Sequence, residues 1–152
     1  MEIVVPNETD FKEINKIAKQ VHDLHADWRP DIFTKVEEPL QAEYLKELIE
    51  NKEIFVAKED AVILGYIIIG KKEKKAHGLS DRKIITIEVL SVDENHQHKG
   101  IGRLLMRYVT EMGKKEQYTD IQLAVNEENT KAIKFYESLG MRVKNISYSM
   151  KI

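Results

Sequence analysis

The chain of 152 residues contains no cysteine, three prolines and a single tryptophan. Without cysteine it has no disulfide, no thiolate metal ligand and no cysteine nucleophile. It also lacks any apolar run long enough to span a membrane, and no signal-peptide pattern follows Met1. We therefore expect a cytoplasmic protein that makes no membrane contact.

The charges are nearly balanced, with 24 basic and 26 acidic side chains and a net charge of -2. Such a balance gives no overall attraction to nucleic acid, so we expect no nucleic-acid partner. The basic run at residues 71–75 is typical of a solvated loop. A nucleic-acid-binding domain using this run is an alternative, and it predicts binding with a steep salt dependence. The length suits one domain spanning residues 1–152.

Apolar periodicity and turn residues predict one strand, two helices, three strands, then alternating helices and strands. The first helix begins at Thr9 or Asp10, and Pro39 suits the first turn of the second. Gly140 is expected to end the last helix. The predicted elements are a strand at 2–5, two helices, a hairpin of strands 53–58 and 62–71 around Glu59-Asp60, a polar loop at 72–82, a strand at 83–92, a helix from 100 or 101 to 115, a strand at 120–125, a helix at 130–139 and a last strand at 143–152.

A glycine loop, Gln97-His98-Lys99-Gly100-Ile101-Gly102, separates the longest predicted strand from the third predicted helix. Glycines allow the backbone to approach a phosphate closely. The unpaired N–H groups at a helix start carry a partial charge of about +0.5, which favours an anion. The sequence excludes a nucleotide-hydrolase loop, because Arg103 follows Gly102 where the Gly-Lys-Ser/Thr end is required. It also does not match a dinucleotide-binding fingerprint, because Leu105 stands where a third glycine is required. An acyl-CoA loop and a plain turn before a helix remain.

The spacing Gln97-x-x-Gly100-x-Gly102 resembles the acyl-CoA loop of the GNAT N-acetyltransferase superfamily. A second segment, from Asn129 through Phe135-Tyr136 to Gly140, is similar to the other signature of that family, with Met141 in place of the usual phenylalanine. Both segments occur in the family's order. The resemblance is close over the second half of the chain and extends to the first half only in layout.

The resemblance implies an α+β (three-layer α/β) GNAT fold. Its central sheet would be mixed, mostly antiparallel and twisted, with six to seven strands flanked by four helices. Family members commonly have two strands after the last helix, whereas here only residues 142–152 remain. Since an unpaired sheet edge is a liability, we expect a second subunit to complete it, which predicts a homodimer.

The resemblance also implies an acetyl-CoA-dependent N-acetyltransferase that needs no metal. A primary amine, on a small molecule or a peptide, would attack the thioester directly in a ternary complex. The alternative is a catalytically silent acyl-CoA-binding regulatory module that keeps the same loop.

By resemblance, Tyr136 is the general acid and Glu88 the general base. Alternation along a strand predicts that Glu88 lies on the same face as Leu90 and Val92. Asn129 is expected either to contact the coenzyme or to cap its helix. The expected acetyl-CoA-binding residues are Leu90, Ser91, Val92, Gln97, His98, Lys99, Gly100, Ile101, Gly102, Arg103, Asn129 and Tyr136.

For the acceptor pocket, the candidates are His25, Trp28, Asp31 and Phe33. Acidic residues crowd the expected entrance and would attract a cationic amine; they are Asp23, Asp27, Asp31, Glu37 and Glu38. His22 and His25 are three residues apart, but no third ligand accompanies them, so we expect no metal site.

Overall fold

The computed structural model describes residues 1–152. The sheet order is β1-β2-β3-β4-β5, and all neighbours are antiparallel except the parallel pair β4 and β5. No helix has the length and apolar character needed to cross a membrane. The elements are β1 (Glu2–Val4), α1 (Phe11–Trp28), α2 (Ala42–Glu50), β2 (Ile54–Glu59), β3 (Val62–Lys74), β4 (Arg82–Val92), α3 (Ile101–Lys115), β5 (Asp120–Leu123) and α4 (Thr130–Ser138).

Alternation along the central strands builds a core on each face of the sheet. On β2, Ile54 and Val56 face α1 and α2, whereas Phe55 and Ala57 face α3. This is the period-two pattern of a strand that is buried on both sides. The three layers predicted from the sequence are therefore present.

The second helix begins later than predicted, at Ala42 instead of Pro39. The reason is a contact with α1: the Asn15 side chain donates to the Leu40 carbonyl and accepts from the Leu40 N–H, both at 2.9 Å. Asn15 is buried, and this pair of bonds holds Leu40 outside the helix. A buried polar side chain thus satisfies the backbone where the helix would otherwise have started.

The hairpin between β2 and β3 turns at Asp60 and Ala61, whose φ values are 48° and 68°. The predicted centre, Glu59-Asp60, was wrong by one residue. β3 also continues to Lys74, because its end pairs with β4 as far as Arg82. The polar loop is correspondingly shorter than predicted.

The sheet has five strands, so the prediction of six to seven was wrong. Gly140 ends α4 as predicted, with a φ of 85°, and the N–H groups of Gly140 and Met141 bond the carbonyls of Glu137 and Tyr136. Beyond it, residues 142–152, which we call the arm, form no strand. They are all exposed and make no backbone hydrogen bond, so the prediction of a last strand at 143–152 was wrong.

Candidate active site

The loop before α3 presents a row of free backbone donors. Gly100 has a φ of 79° and is the N-cap of α3, and the first helical bond runs from Leu104 N to Gly100 O at 3.0 Å. The N–H groups of Ile101, Gly102 and Arg103 therefore donate to no acceptor in the protein. A Cβ added at Gly100 would meet nothing within 4 Å, so the space beside this residue is open. Together with the helix dipole, this is an anion-binding site.

Side chains around this cradle divide into two groups. Gln97, His98 and Lys99 are exposed and make no hydrogen bond within the protein, so their donors are free. Arg103 instead donates from Nη2 to Ser138 Oγ at 3.1 Å, which directs its guanidinium to the end of α4. In this structure Arg103 contributes its main-chain N–H to the cradle, whereas its side chain is held at Ser138.

The turn that leads into the cradle is fastened to α1 by Asp93, which the sequence analysis missed. The Asp93 carboxylate is almost fully buried and accepts from Gln20 Nε2 at 3.1 Å and from His96 Nδ1 at 3.0 Å. Gln20 Oε1 in turn accepts from Glu94 N at 3.0 Å. Burial acts to raise the pKa of Asp93, but the bonds from Gln20, His96 and Asn95 outweigh it and hold that pKa below its usual value.

Next to the cradle, β4 and β5 separate. Their pairing runs only from Ile84 with Asp120 to Ile87 with Leu123. On its other side β4 stays paired with β3 as far as Val92 with Gly65. One backbone edge of β4 is therefore unpaired at Leu90, Ser91 and Val92, three residues that the sequence analysis expected to bind acetyl-CoA. The Ser91 hydroxyl is buried without a partner.

A β-bulge positions Glu88. Ile68 pairs with Val89 and Ile69 with Ile87, so Glu88 is an extra residue on β4. A bulge interrupts alternation, and the predicted shared face was wrong for that reason: Leu90 and Val92 pack towards α3, whereas Glu88 points to the opposite face.

The Glu88 carboxylate is exposed and has no basic partner. Its Oε1 accepts from Thr86 Oγ1 at 2.6 Å. A Cβ at Gly70, on the neighbouring strand, would lie 2.6 Å from Thr86 Oγ1 and 3.0 Å from Glu88 Oε1. The absence of a side chain at Gly70 therefore makes room for this carboxylate.

Glu88 borders a cleft of about 320 Å³ that opens where β4 and β5 diverge. Most of the cleft wall is apolar, and Glu88 is the single carboxylate that lines it. Sequence reasoning named His25, Glu88, Asn129 and Tyr136 for the site but not Tyr44, Tyr66 or Asn126. The polar and aromatic lining of the cleft consists of His22, His25, Tyr44, Tyr66, Glu88, Asn126, Asn129 and Tyr136.

Tyr136 enters the cleft from α4. Burial raises its pKa above the usual value, so the phenol stays protonated at neutral pH. Its neighbour Phe135 turns towards α3, where a Cβ at Gly102 would lie 3.3 Å from Phe135 Cζ. Asn129 Oδ1 accepts from Ala132 N at 3.1 Å, so the predicted cap of α4 is present. Tyr136 and Glu88 thus lie on opposite sides of the strand separation and line one cleft.

Of the four acceptor candidates, only His25 lines the cleft. Burial, and then the charge of His22, lower the pKa of His25, so its ring is neutral at pH 7. Phe33 packs behind it, with ring centroids 5.5 Å apart, and Trp28 lies 5.6 Å away. Arg29 binds Asp31 through two hydrogen bonds of 2.9 Å and holds its pKa well below the usual range. Trp28, Asp31 and Phe33 therefore support the cleft without lining it.

The acidic residues expected at the entrance are mostly neutralised by ion pairs. Asp27 pairs with Lys35 at 2.8 Å, and Lys19 lies 3.1 Å from Asp23 and 3.5 Å from Glu37. The predicted negative entrance is therefore largely absent, because four of the five carboxylates, all except Glu38, have a basic partner. No group of three or more metal-ligating side chains occurs.

Fold and site together define an α+β domain with an anion cradle beside a splayed sheet edge. The model of the Acetyltransferase (GNAT) family matches residues 18–141, and the chain belongs to this family. A curated relative, N-acetylaspartate synthetase from Xenopus tropicalis, is 34% identical over 67 residues. That match covers 44% of this chain but only 25% of the relative, so the chain spans about a quarter of that protein's length.

Two solved structures show the same fold. A mutant of the BH1408 protein from Bacillus halodurans has a TM-score of 0.95 at 29% identity and covers 100% of this chain and 99% of its own, the arm included. Aminoglycoside N-acetyltransferase AAC(6')-Iy, solved in complex with CoA, has a TM-score of 0.70 at 17% identity and covers 99% of both chains.

Proposed function

We propose that the protein is an acetyl-CoA-dependent N-acetyltransferase in which a primary amine attacks the thioester directly. The observation that carries this proposal is a juxtaposition at the point where β4 and β5 separate. Free helix-start donors, an unpaired strand edge, one carboxylate and one protonated phenol meet there. Family membership supports the same assignment.

The residues of the cradle and of the β4 edge fit the proposed donor, acetyl-CoA. When bound, acetyl-CoA supplies an activated acetyl group and a thiol leaving group. The N–H groups of Ile101, Gly102 and Arg103 suit a diphosphate, with Lys99 and Gln97 free to reinforce them. The unpaired edge at Leu90–Val92 offers backbone partners to an amide-bearing chain, as in β-augmentation. A backbone N–H at this edge is also suited to polarising the thioester carbonyl.

Two side chains have the proton-transfer roles. Glu88, which has no basic partner, accepts a proton from the acceptor ammonium before attack or from the amine as it attacks, directly or through one water. Tyr136 returns a proton to the departing sulfur, and its raised pKa keeps that proton available across the neutral range. No covalent acyl-enzyme is invoked, since the chain contains no cysteine.

The acceptor class follows from the cleft wall. The wall is mostly apolar, Tyr44 and Tyr66 are part of it, and His25 is neutral. Glu88 can hold one ammonium group, but the neighbouring acids are already paired with Lys19, Lys35 and Arg29. A single amine on an apolar or aromatic body therefore fits better than a polyamine or an aminoglycoside.

The test is release of coenzyme A thiol from acetyl-CoA with a panel of amines. The absence of cysteine makes thiol reagents report the product alone. We expect kcat/KM for arylalkylamines to exceed that for polyamines and aminoglycosides by at least about 10-fold, since one buried apolar group is worth roughly 1–3 kcal/mol.

Each other outcome contradicts a defined part of the proposal. A preference for polyamines would overturn the acceptor class. Binding of coenzyme A without thiol release for any amine would favour the regulatory module. No binding of coenzyme A would overturn the donor assignment.

A further inference from the structure

One polar contact holds the carboxylate of the proposed base. Glu88 Oε1 accepts from Thr86 Oγ1 at 2.6 Å, and Glu88 Oε2 accepts no hydrogen bond from the protein. A distance this short is typical of a hydroxyl that donates to an ionised carboxylate. The two oxygens of Glu88 therefore differ, because Oε1 is tied to its own strand whereas Oε2 is free.

Gly70 leaves the space in which this contact forms. It lies opposite Thr86 in the pairing of β3 with β4. A Cβ at this position would approach Thr86 Oγ1 to 2.6 Å, a separation that real Cβ atoms essentially never show. An alanine would therefore displace either the hydroxyl or the Glu88 carboxylate, so the contact requires glycine on the neighbouring strand.

From this position the charge of Glu88 acts across the cleft. Glu88 lines the cleft together with Tyr44, which belongs to α2 on the opposite wall. Burial, and then the negative charge of Glu88, raise the pKa of Tyr44. The carboxylate thus faces the space between β4 and α2, where the apolar wall offers room for the acceptor.

No other polar contact restrains Glu88. Its side chain is exposed and has no basic partner, so without Thr86 its rotatable bonds would let the carboxylate move away from the cleft. A general base must lie within about 2.6–3.2 Å of the proton that it removes, or reach it through one water. A hydrogen bond to a charged group is strong enough to select one position of such a side chain.

We infer that Thr86 is a positioning residue for the proposed base. Its hydroxyl fixes Oε1, which leaves Oε2 directed at the amine, and Gly70 keeps the space for this arrangement. Thr86 does not line the cleft, so it acts on the reaction through Glu88. The inference rests on the proposed function, because it requires Glu88 to take the proton of the amine.

The first test compares Thr86→Val with Thr86→Ser. Valine keeps the branched shape without the hydroxyl, whereas serine keeps the hydroxyl. We expect kcat/KM for the amine to fall about tenfold in Thr86→Val, as for loss of one hydrogen bond to a charged group. KM for acetyl-CoA should change less than about twofold, since the cradle is untouched. Thr86→Ser should recover most of the wild-type kcat/KM.

Thr110→Val is the matched control. It also removes a threonine hydroxyl that makes one hydrogen bond, from Oγ1 to Met106 O at 2.8 Å, but it lies on α3 away from Glu88. We expect wild-type kcat/KM in this variant. Equal losses in Thr110→Val and Thr86→Val would indicate a general structural effect and overturn the inference.

Gly70→Ala tests the same arrangement without removing a polar group. Its methyl group would displace the hydroxyl or the carboxylate, so we expect a loss of kcat/KM of about tenfold, with KM for acetyl-CoA unchanged. Wild-type kcat/KM in Gly70→Ala would show that the position of the carboxylate does not matter and would overturn the inference.

A double-mutant cycle shows whether Thr86 acts through Glu88. Adding Thr86→Val to Glu88→Gln should lower kcat/KM less than about twofold further, because no base is left to position. A further tenfold loss, or wild-type kcat/KM in Thr86→Val alone, would overturn the inference and leave Glu88 as the base. Wild-type kcat/KM in Glu88→Gln would instead reject the proposed base, and the inference with it.

Discussion

The regions on the two sides of β4, the cradle with α3 and the flank of β5 with α4, differ in how well their side chains are buried. On the cradle side, α3 buries five residues and its free N–H groups are held in place by the turn at Asp93. On the β5 side, α4 buries none and the arm is exposed. The backbone donors of the cradle therefore come from one short segment, which Gln20 fastens to α1, whereas the acceptor side is assembled from several distant segments.

The largest expected effect comes from Tyr136→Phe, a substitution on α4 at the β5 side of β4. Loss of the proton donor to the leaving sulfur should lower kcat about 1,000-fold, within the range typical of general acids. Affinity for coenzyme A should change less than about twofold, because the cradle is untouched. Stopped-flow thiol release and calorimetry measure the two effects. Tyr108→Phe, on exposed α3 surface, is the control, and equal turnover in both variants would reject Tyr136 as the acid.

Glu88→Gln should lower kcat/KM about 100-fold, a smaller loss because a water can partly replace a general base. The pH–rate profile measures this role: we expect kcat/KM of the wild type to rise with pH, and this rise should weaken in the variant. Glu43→Gln, an exposed carboxylate without an ion pair, should leave the profile unchanged. A wild-type profile in Glu88→Gln would assign the base elsewhere.

On the cradle side, Gly100→Val should weaken coenzyme A binding about 30-fold, or roughly 2 kcal/mol. A β-branched residue at a φ of 79° is strained, and relief of that strain would shift the turn that presents the donors. Gly78→Val is a matched control, since Gly78 also has a φ of 79° and open surroundings. If both variants bind coenzyme A equally, the cradle is not the diphosphate site.

The smallest expected effect concerns stability at alkaline pH. Burial raises the pKa of Tyr66 well above the value of about 10 of an unfolded tyrosine. Above that pH the unfolded state loses a proton that the native state retains, so the free energy of unfolding falls by about 1.4 kcal/mol per pH unit. Urea titrations between pH 10 and 11 should show a shallower decline for Tyr66→Phe. The same decline in wild type and variant would contradict this burial.

The features predicted correctly from the sequence are mainly those that a few adjacent residues determine, such as the starts and ends of helices. The start of α3 at Ile101, the cap at Asn129 and the left-handed Gly140 each follow from a few adjacent residues, and the structure has all three. GNAT membership was also predicted, from two short motifs, and the family match confirms it.

Long-range contacts account for the errors. The bulge that turns Glu88 away from Leu90 is a mismatch between two strands and has no signature in β4 alone. Asn15 delays α2 through bonds to Leu40, which is 25 positions away. The acids near the cleft were predicted to attract cations, but the pairing of Asp27 with Lys35 and of Glu37 with Lys19 became apparent only in the fold.

The most direct test of the central claim is a titration of the ¹⁵N-labelled protein with coenzyme A, followed by amide chemical shifts. We predict saturable shifts that are largest at Ile101, Gly102 and Arg103, whose N–H groups have no acceptor in the protein, with smaller changes along Leu90–Val92. Saturation that leaves these three amides unshifted would contradict the account.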